Sequence, residues 1–476
     1  MEIYRGEMAA ELGDVMKGFV DSALGFYEGL KERPVFSEAD EETVARLRGR
    51  GIPESGRPLR EVFEEMMRDV YANQSLVQHP RCFACVPSPV SLYSWMGDVM
   101  TNAFDPHAGS WINASGAGCV EQEVIRWMCG LAGYPEGSGG LFVSGGSMAN
   151  LTALTAARDR KLTYEERGRA VAYVSEQTHS SVAKGLHIIG FRPDQVRKVP
   201  TDREFRMDMK ALRQAVAEDL SAGRKPFAVI ATAGTTNTGS IDPLEDIGAL
   251  CREYGLWMHV DGAYGASVLV SKKYRGRLKG IELSDSLSWD AHKWLMQTYG
   301  CSAVLVRDVS SLARCFAVHP EYLKDASVGE GEVNFWDLGP ELTRPARSLK
   351  LWMTLQVMGT DAQGQVIDHG CHLAKTAENA IRSLPGWEII SPAAQAIVNF
   401  RFAPAGVPER ELDALNQEIS RAISAGGFAQ VLTTELNGKK VLRICSLNPE
   451  TTDGDIRKTV ELLDRLARRF QGRASA

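Results

Sequence analysis

Lys293 is the residue of this sequence that most needs a chemical explanation, because predicted buried strands lie on both sides of it. Residues 256–260 and 301–306 are short, largely apolar runs, which is typical of buried strands. A buried amine costs free energy unless it is paired or neutral. A desolvated lysine is a nucleophile toward aldehydes, so Lys293 could form a Schiff base. A lysine at a strand end can also extend its amine to solvent, and this stretch alone leaves both interpretations open.

A glycine-rich turn follows the predicted strand at residues 141–143, with the sequence Ser144-Gly145-Gly146-Ser147. Glycines let the backbone approach an anion closely, and the free N–H groups at a helix start bind phosphate. A tight turn in which Ser147 caps the next helix is the plainer interpretation. The segment is neither a Walker loop nor a dinucleotide fingerprint, since the glycine spacing fits neither.

Two further residues with chemical potential stand after predicted strands. Asp261 ends the strand at residues 257–260, and a buried acid there needs a partner such as a protonated pyridine nitrogen. His179 stands between a strand and a helix, where a histidine often has no special task. The polar turn at residues 234–240 offers hydroxyls that bind a ligand or only cap the next helix.

Together these features match one cofactor. Pyridoxal phosphate requires a phosphate cradle, an acid for its ring nitrogen, a flat side chain over the ring and an amine for its aldehyde. Residues 144–147, Asp261, His179 and Lys293 supply these groups in that order. The sequence therefore predicts a pyridoxal phosphate site at the strand ends of one domain.

The elements that must position these residues alternate between strands and helices over residues 141–306. Such alternation predicts an α/β domain with a mostly parallel sheet flanked by helices, and ligands bind beyond the carboxyl ends of its strands. We expect this large domain to span residues 75–349. Residues 1–74 are predicted to be a helical segment that packs on a partner subunit, and residues 350–476 a smaller α+β domain. Within the chain's last third, separate helices are predicted at residues 347–358 and 371–383.

Composition excludes several classes of protein. The net charge is −6 with no long basic cluster, which argues against nucleic-acid binding. No apolar run reaches the roughly 18 residues that span a bilayer. Nine cysteines without framework spacing predict reduced thiols, hence a cytoplasmic protein. Cys82 and Cys85 form a Cys-x-x-Cys pair, but no second pair or histidine cluster completes a metal site, so no metal is expected.

Several blocks of the sequence carry a family likeness from about residue 57 to the end. They are His79-Pro80, Phe142-Val143-Ser144-Gly145-Gly146-Ser147-Met148-Ala149-Asn150, Thr178-His179-Ser180-Ser181, Ala233-Gly234-Thr235-Thr236, His259-Val260-Asp261-Gly262-Ala263-Tyr264, Asp290-Ala291-His292-Lys293-Trp294 and Arg347-Ser348-Leu349-Lys350-Leu351-Trp352. In this order they resemble the group II pyridoxal-phosphate decarboxylases of fold type I. Within that group the chain is similar to the aromatic L-amino-acid decarboxylases, and most of all to the bacterial tryptophan decarboxylases.

The resemblance implies a role for each matching residue. Lys293 would hold the cofactor as a Schiff base, Asp261 would pair with the ring nitrogen, and His179 would stack on the ring. Further cofactor-binding positions would be Gly146, Ser147, Thr236, Ala263 and His292. Tyr322 matches a mobile-loop tyrosine that would close over the other subunit's site and, with His179, protonate the substrate's Cα. The family likeness also implies a homodimer.

The chain departs from the family at several positions. Many relatives have Asn-Pro where this chain has Asp290-Ala291, and we expect Asp290 to point elsewhere or to bind backbone, because an acid near a phosphate is unfavourable. The substrate-pocket positions are Cys85, His107, Trp111 and Trp336, of which Cys85 and Trp111 differ in size from their counterparts. We expect an aromatic amino acid as substrate, tryptophan first and phenylalanine or tyrosine next. If Trp111 narrows the pocket, Trp111→Gly should favour larger side chains.

Two other functions are compatible with the same residues. One is another carbon–carbon lyase reaction with this cofactor, or a decarboxylation-dependent oxidative deamination that gives an aldehyde. Tyr322 favours simple decarboxylation to the amine over that outcome. The other is a binding or scaffold protein that kept the fold, and the joint presence of Lys293, Asp261 and His179 argues against it.

Overall fold

A seven-stranded sheet forms the centre of the fold in the computed structural model, which describes residues 7–86, 89–318, 329 and 331–474. The strands are β1 Gly139–Val143, β2 Ala170–Ser175, β3 Val196–Val199, β4 Lys225–Thr232, β5 Trp257–Asp261, β6 Ser286–Asp290 and β7 Ser302–Val306. They lie in the order β1-β7-β6-β5-β4-β2-β3. The neighbours from β3 to β6 are parallel, and β7 is antiparallel to both β6 and β1. The expected mostly parallel sheet is confirmed.

Helices cover both faces of this sheet, which explains why its strands are apolar nearly throughout rather than alternating. One face packs on helices α5 Trp111–Leu131, α8 Met209–Ser221 and α9 Leu244–Tyr254. The other packs on α6 Gly146–Lys161, α7 Ser180–Ile188 and α10 Ser310–Phe316. Every residue of β2, β5, β6 and β7 is buried.

A buried ion pair fixes β1, the strand that leads into the glycine-rich turn. The Arg344 guanidinium donates to Glu121 Oε1 at 2.6 Å and to the Phe142 carbonyl at 2.7 Å. The Phe142 N–H in turn donates to Glu121 Oε1 at 2.9 Å. Removing one partner of such a buried pair costs about 3–5 kcal/mol, so the pair holds β1 firmly against α5.

A second, smaller sheet lies in the C-terminal part of the chain. Its strands are β8 Trp387–Ala394, β9 Ile397–Phe402, β10 Leu432–Leu436 and β11 Lys439–Cys445, all antiparallel in the order β10-β11-β9-β8. Helices α12 Glu409–Ala425 and α13 Asp453–Ala474 pack on it through a shared apolar core. The α+β character expected for this part is confirmed, whereas the boundaries near residues 74 and 349 remain predictions.

Two helices lie between residues 347 and 383, as predicted, and they are joined at a kink. Together they form α11 over Ser348–Arg382, with one non-helical residue at Gly359, where φ is +75°. Glycine adopts this left-handed conformation without steric cost, so the chain changes direction there and resumes the helix. The predicted gap between the two helices is therefore wrong apart from this one residue.

The N-terminal part is helical, as expected. It contains α1 Glu7–Glu28, α2 Glu41–Arg50 and α3 Leu59–Glu65, which continues as a π turn over Met66–Tyr71. Helix α4 Leu92–Phe104 follows and packs on α11. Within the described ranges, none of the helices is both long and apolar enough to cross a membrane.

Candidate active site

A cavity of about 360 Å³ lies beyond the carboxyl ends of β1, β4, β5 and β6. Its lining residues are Ser144, Gly145, Gly146, Ser147, Asn150, His179, Ser181, Thr232, Gly234, Thr236, Asp261, Ala263, Tyr264, Asp290, His292, Lys293, Tyr299 and Gly300. All eight residues that the sequence assigns to the cofactor are among them. This is where ligands bind on parallel sheets, because the loops after the strands meet there.

The Lys293 side chain is 22% exposed, and its amine faces this cavity rather than bulk solvent. Its Nζ lies 3.0 Å from Oδ2 of Asp290, which ends β6. The flanking Ala291 and Trp294 are fully buried. The expectation that Asp290 points elsewhere is wrong, because its carboxylate lines the cavity and forms an ion pair with the lysine.

Asp261, at the end of β5, is held by three donors. Its Oδ1 accepts from the Ala263 N–H at 3.1 Å and from the Ser288 hydroxyl at 3.3 Å. Its Oδ2 accepts from the Asn150 amide at 3.1 Å. A carboxylate oxygen has two lone pairs, so Oδ2 can accept one further hydrogen bond from a ligand in the cavity.

Asn150, on α6, joins Asp261 to two histidines. Because the carboxylate only accepts, the Asn150 amide nitrogen must face Asp261, and the same group donates to Ser181 Oγ at 3.0 Å. The Asn150 oxygen therefore faces His259 Nε2, at 2.9 Å, and that nitrogen must carry a proton. Burial lowers the pKa of His259 to about 4, which makes the ring neutral.

The same network orients His179. Its Nδ1 accepts from the Ser181 backbone N–H at 3.2 Å and lies 2.8 Å from the Ser181 hydroxyl. A nitrogen that accepts from a backbone N–H is unprotonated, so a neutral His179 carries its proton on Nε2. The ring thus lines the cavity in a fixed tautomer.

The glycine-rich turn begins α6, as the cradle interpretation requires. A Cβ at Gly146 would lie 2.7 Å from Oδ2 of Asp290, so a larger residue there would require the Asp290 carboxylate to move. The first N–H groups of a helix have no partner within it, which leaves those of Gly146 and Ser147 for a ligand. His292 lies beside Gly145 across the same corner.

The polar turn after β4 serves mainly its own structure. Thr235, Thr238 and Ser240 hydrogen-bond one another through their hydroxyls. Thr236 lines the cavity, and its carbonyl accepts from Arg443 of β11 at 2.8 Å. The C-terminal sheet therefore helps to position this side of the cavity.

The four predicted substrate-pocket residues lie apart from the cavity lining. Cys85 is half-buried and lies near Tyr299 of the lining. His107 packs edge-on against Trp336, with ring centroids 6.1 Å apart, and the backbone N–H of Trp111 donates to Asn334, near Trp336 in the chain. Tyr322 lies outside the described residues.

Sequence reasoning missed several residues that line the cavity or support its lining. Asn150 and His259 stand inside blocks that carry the family likeness, yet neither was given a role. Ser181 and Tyr299 were also passed over, although Tyr299 packs on His292 with ring centroids 5.8 Å apart. A signal for Asp290 was present: in β6 every second residue is polar, namely Ser286, Ser288 and Asp290, and alternate residues of a strand share one face.

Pyridoxal phosphate fits these residues. The glycine-rich helix start can take a phosphate, Asp261 retains an acceptor position for a ring nitrogen, and the Lys293 amine shares their cavity. With an aldehyde at Lys293, such a cofactor accepts electrons from bonds at the substrate's Cα.

Comparison with known proteins agrees with this chemistry. Residues 42–403 match the model of the pyridoxal-dependent decarboxylase conserved domain. The chain is 39% identical to an aromatic-L-amino-acid decarboxylase of Bacillus atrophaeus over 94% of both chains. It is 31% identical to a phenylacetaldehyde synthase of Arabidopsis thaliana, over 96% of this chain and 95% of that protein. The crystal structure of Oryza sativa TDC with PLP and tryptamine matches with a TM-score of 0.91 at 26% identity, covering 98% of this chain and 99% of that chain. The chain belongs to the pyridoxal-dependent decarboxylase family and is a pyridoxal-phosphate-dependent carboxy-lyase.

Proposed function

We propose that this enzyme converts an aromatic L-amino acid to the corresponding arylalkylamine and carbon dioxide. The observation that carries the proposal is that Lys293, Asp261 and His179 line one cavity at the sheet's carboxyl edge. Relatives with aromatic substrates in their names support the aromatic class. Tryptophan is the first candidate, and phenylalanine and tyrosine follow.

Each cavity residue has a distinct task in this reaction. When bound, pyridoxal phosphate supplies an electron sink for the pair of electrons left on Cα as carbon dioxide departs. Lys293 supplies the amine that holds the cofactor's aldehyde, and Asp261 keeps the ring nitrogen protonated. His179, held in one tautomer by Ser181, presents a flat face and an Nε2–H to the cavity. The N–H groups of Gly146 and Ser147 bind the phosphate.

The test offers purified enzyme with pyridoxal phosphate a panel of amino acids and measures each amine formed. We expect amines from tryptophan, phenylalanine or tyrosine, and none from aspartate, glutamate or diaminobutyrate. Lys293→Ala should form no amine from any of them while keeping the far-ultraviolet circular dichroism spectrum of the wild type. Preference for an acidic or diamino substrate would contradict the aromatic assignment.

Tyr322 is proposed to decide the product, on the strength of the sequence likeness alone. If its hydroxyl protonates Cα after carbon dioxide leaves, the product is the amine. We expect Tyr322→Phe to form the aldehyde with ammonia, carbon dioxide and hydrogen peroxide, at the expense of one O2 and one water. An oxygen electrode and a peroxide assay distinguish the outcomes. Aldehyde from the wild type would favour the alternative function.

We also propose that two copies of the chain form a homodimer. Apolar side chains that are 39–51% exposed recur every four residues along α1, and others mark α4. They are Leu12, Met16, Val20 and Leu24 on α1, and Tyr93, Met96, Met100 and Phe104 on α4. Stripes of this kind are typical of faces that pack on a second chain. Light scattering with size-exclusion chromatography should give twice the 52.1 kDa chain mass. The double variant Met16→Glu/Val20→Glu should have the mass of a single chain.

A further inference from the structure

Asp290 places an unusual charge in the cavity. Its side chain is 2% exposed, with Oδ2 at 3.0 Å from Lys293 Nζ and 3.7 Å from His292 Nε2. Its Oδ1 is buried and has no hydrogen-bond partner among the described residues. A buried carboxylate oxygen without a donor is costly, so this atom is expected to gain a proton or a donor when the site is filled.

The neighbouring histidine does not supply that proton. His292 Nδ1 lies 3.0 Å from the Cys301 carbonyl, which only accepts, so Nδ1 carries the ring's proton. Burial lowers the pKa of His292, which keeps the ring neutral. Its Nε2 therefore turns a lone pair, not an N–H, toward Asp290.

The other groups around the cavity supply too little positive charge for both Asp290 and a phosphate dianion. Lys293, which pairs with Asp290, is the only lysine or arginine among the described lining residues, and Asp261 adds a second carboxylate. His179 accepts at Nδ1, and burial raises the pKa of Tyr299. Lys350, behind His292 on α11, is bound to Asp98 at 3.1 Å.

Both carboxylate oxygens of Asp290 border the proposed phosphate position. A Cβ built on Gly146 would lie 2.7 Å from Oδ2 and 2.9 Å from Oδ1. A phosphate monoester loses its second proton near pH 6, so it enters mainly as a dianion at neutral pH. A carboxylate and a phosphate dianion that share one buried corner repel each other, which favours protonation of one of them.

We propose that Asp290 and the phosphate of the bound cofactor share one proton, so that the enzyme takes up a proton when it binds pyridoxal phosphate. This inference rests on the proposed placement of the phosphate at Gly146 and Ser147. It makes cofactor retention by this chain weaken as the pH rises. A chain with asparagine at position 290 would instead donate an N–H to the phosphate and need no proton.

The test uses 4-deoxypyridoxine 5-phosphate, which has the phosphate but no aldehyde and so leaves the amine of Lys293 unreacted. Calorimetric titration of the apoenzyme at pH 7.5, in buffers of different ionisation enthalpy, counts the protons taken up. We expect the wild type to take up about one proton more than Asp290→Asn. Between pH 7 and 8.5 the wild-type affinity should fall about tenfold per pH unit more steeply than that of the variant.

Three controls make the outcome decisive. Asp361→Asn, which removes an exposed carboxylate far from the cavity, should behave as the wild type. Asp290→Ser should repeat the result of Asp290→Asn if the latter folds poorly. Ser147→Pro, which removes one proposed phosphate-binding N–H in a first helical turn that tolerates proline, should weaken binding of the phosphorylated probe but not of 4-deoxypyridoxine. If Ser147→Pro has no such effect, the phosphate placement is wrong. If it has the effect but wild type and Asp290→Asn take up equal numbers of protons, the proton-sharing inference alone is overturned.

Discussion

At the scale of single residues, Asn150 links the acid of the cavity to two histidines through hydrogen bonds. Its amide group contacts Asp261, Ser181 and His259, and its orientation is set by the carboxylate. No ligand needs to touch Asn150 for it to matter. It is a positioning residue for Asp261 and His179.

We expect Asn150→Asp to lower kcat/KM about five- to hundredfold, since an unsatisfied buried group costs about 1–3 kcal/mol. The new carboxylate cannot donate to Asp261 and repels it. The absorbance of the bound cofactor should also become pH-dependent, because Asp261 then competes for a proton. Steady-state kinetics and pH-dependent spectra check this.

Thr152→Val is the matched control, on the same helix. The Thr152 hydroxyl is buried and has no hydrogen-bond partner among the described residues. Its removal should leave both kinetics and spectra as in the wild type. Equal behaviour of Asn150→Asp and Thr152→Val would show that the network has no role in the reaction.

The sequence predicted that Lys293, Asp261 and His179 share one site, and the structure places all three in the lining of one cavity. It was misleading for Asp290, because an acid near a phosphate is unfavourable and the alternation within β6 was not used. That alternation puts Asp290 on the same face as Ser286 and Ser288. In the observed register Asp290 pairs with Ser302 of β7, and a shift of one residue would turn its side chain to the other face.

At the scale of elements, the turn after β4 depends on a buried acid. Asp242 is 2% exposed, and its two oxygens accept from the Met207 and Thr232 N–H groups at 2.7 Å each. Burial raises the pKa of Asp242 to about 6. The carboxyl thus ties the end of β4, where Thr232 lines the cavity, to the segment before α8.

This acid should make the apoenzyme less stable as the pH rises from about 4 to about 6. The pKa of Asp242 is higher in the folded chain than in the unfolded chain. Between about pH 4 and 6 the folded chain therefore still holds the Asp242 proton, whereas the unfolded chain has already lost it. The free energy of unfolding therefore falls across that window, by about 3 kcal/mol from this group, and the loss is complete above it. Urea midpoints at pH 4.5 and 6.5 measure the change.

Asp242→Asn removes this titration, so the urea midpoint of the variant should fall less from pH 4.5 to pH 6.5 than that of the wild type. The variant also loses one hydrogen-bond acceptor and is less stable than the wild type at low pH. The comparison therefore concerns the change of the urea midpoint with pH and not the midpoint itself. Asp208→Asn is the control, since asparagine still caps α8. If Asp242→Asn and the wild type change in parallel, Asp242 does not titrate in this window.

Element prediction succeeded where hydrophobic runs were long and failed where they were interrupted. The apolar strands β2, β4, β5 and β7 were found from their runs. β6 was not, because its alternating serines lower its apolar content although all five residues are buried. The predicted end of the first helix at residue 358 matches the kink at Gly359, whereas the start of the second helix was placed too late in the chain.

At the scale of the whole molecule, the described part of one chain places none of the predicted substrate-pocket residues in the cavity lining. His107 and Trp336 pack edge-on against each other, and the Trp111 backbone N–H donates to Asn334, close to Trp336 in the chain. Phe104 and Ile112, at either end of the loop that holds His107, are 82% and 71% exposed. The expected effect of Trp111→Gly on substrate size requires that this loop lie against the cavity of the partner subunit in the proposed homodimer.

A hybrid dimer tests the shared site directly. Lys293→Ala and Tyr322→Phe chains carry different affinity tags and are co-expressed, and the hybrid is isolated by both tags. If Tyr322 acts in the partner subunit's site, the hybrid contains one site with both Lys293 and Tyr322. It should then form amine at about half the wild-type rate per dimer, although each parent homodimer forms little or none. If each Tyr322 serves its own chain, no site in the hybrid is intact and the hybrid yields aldehyde but no amine above the parents' level.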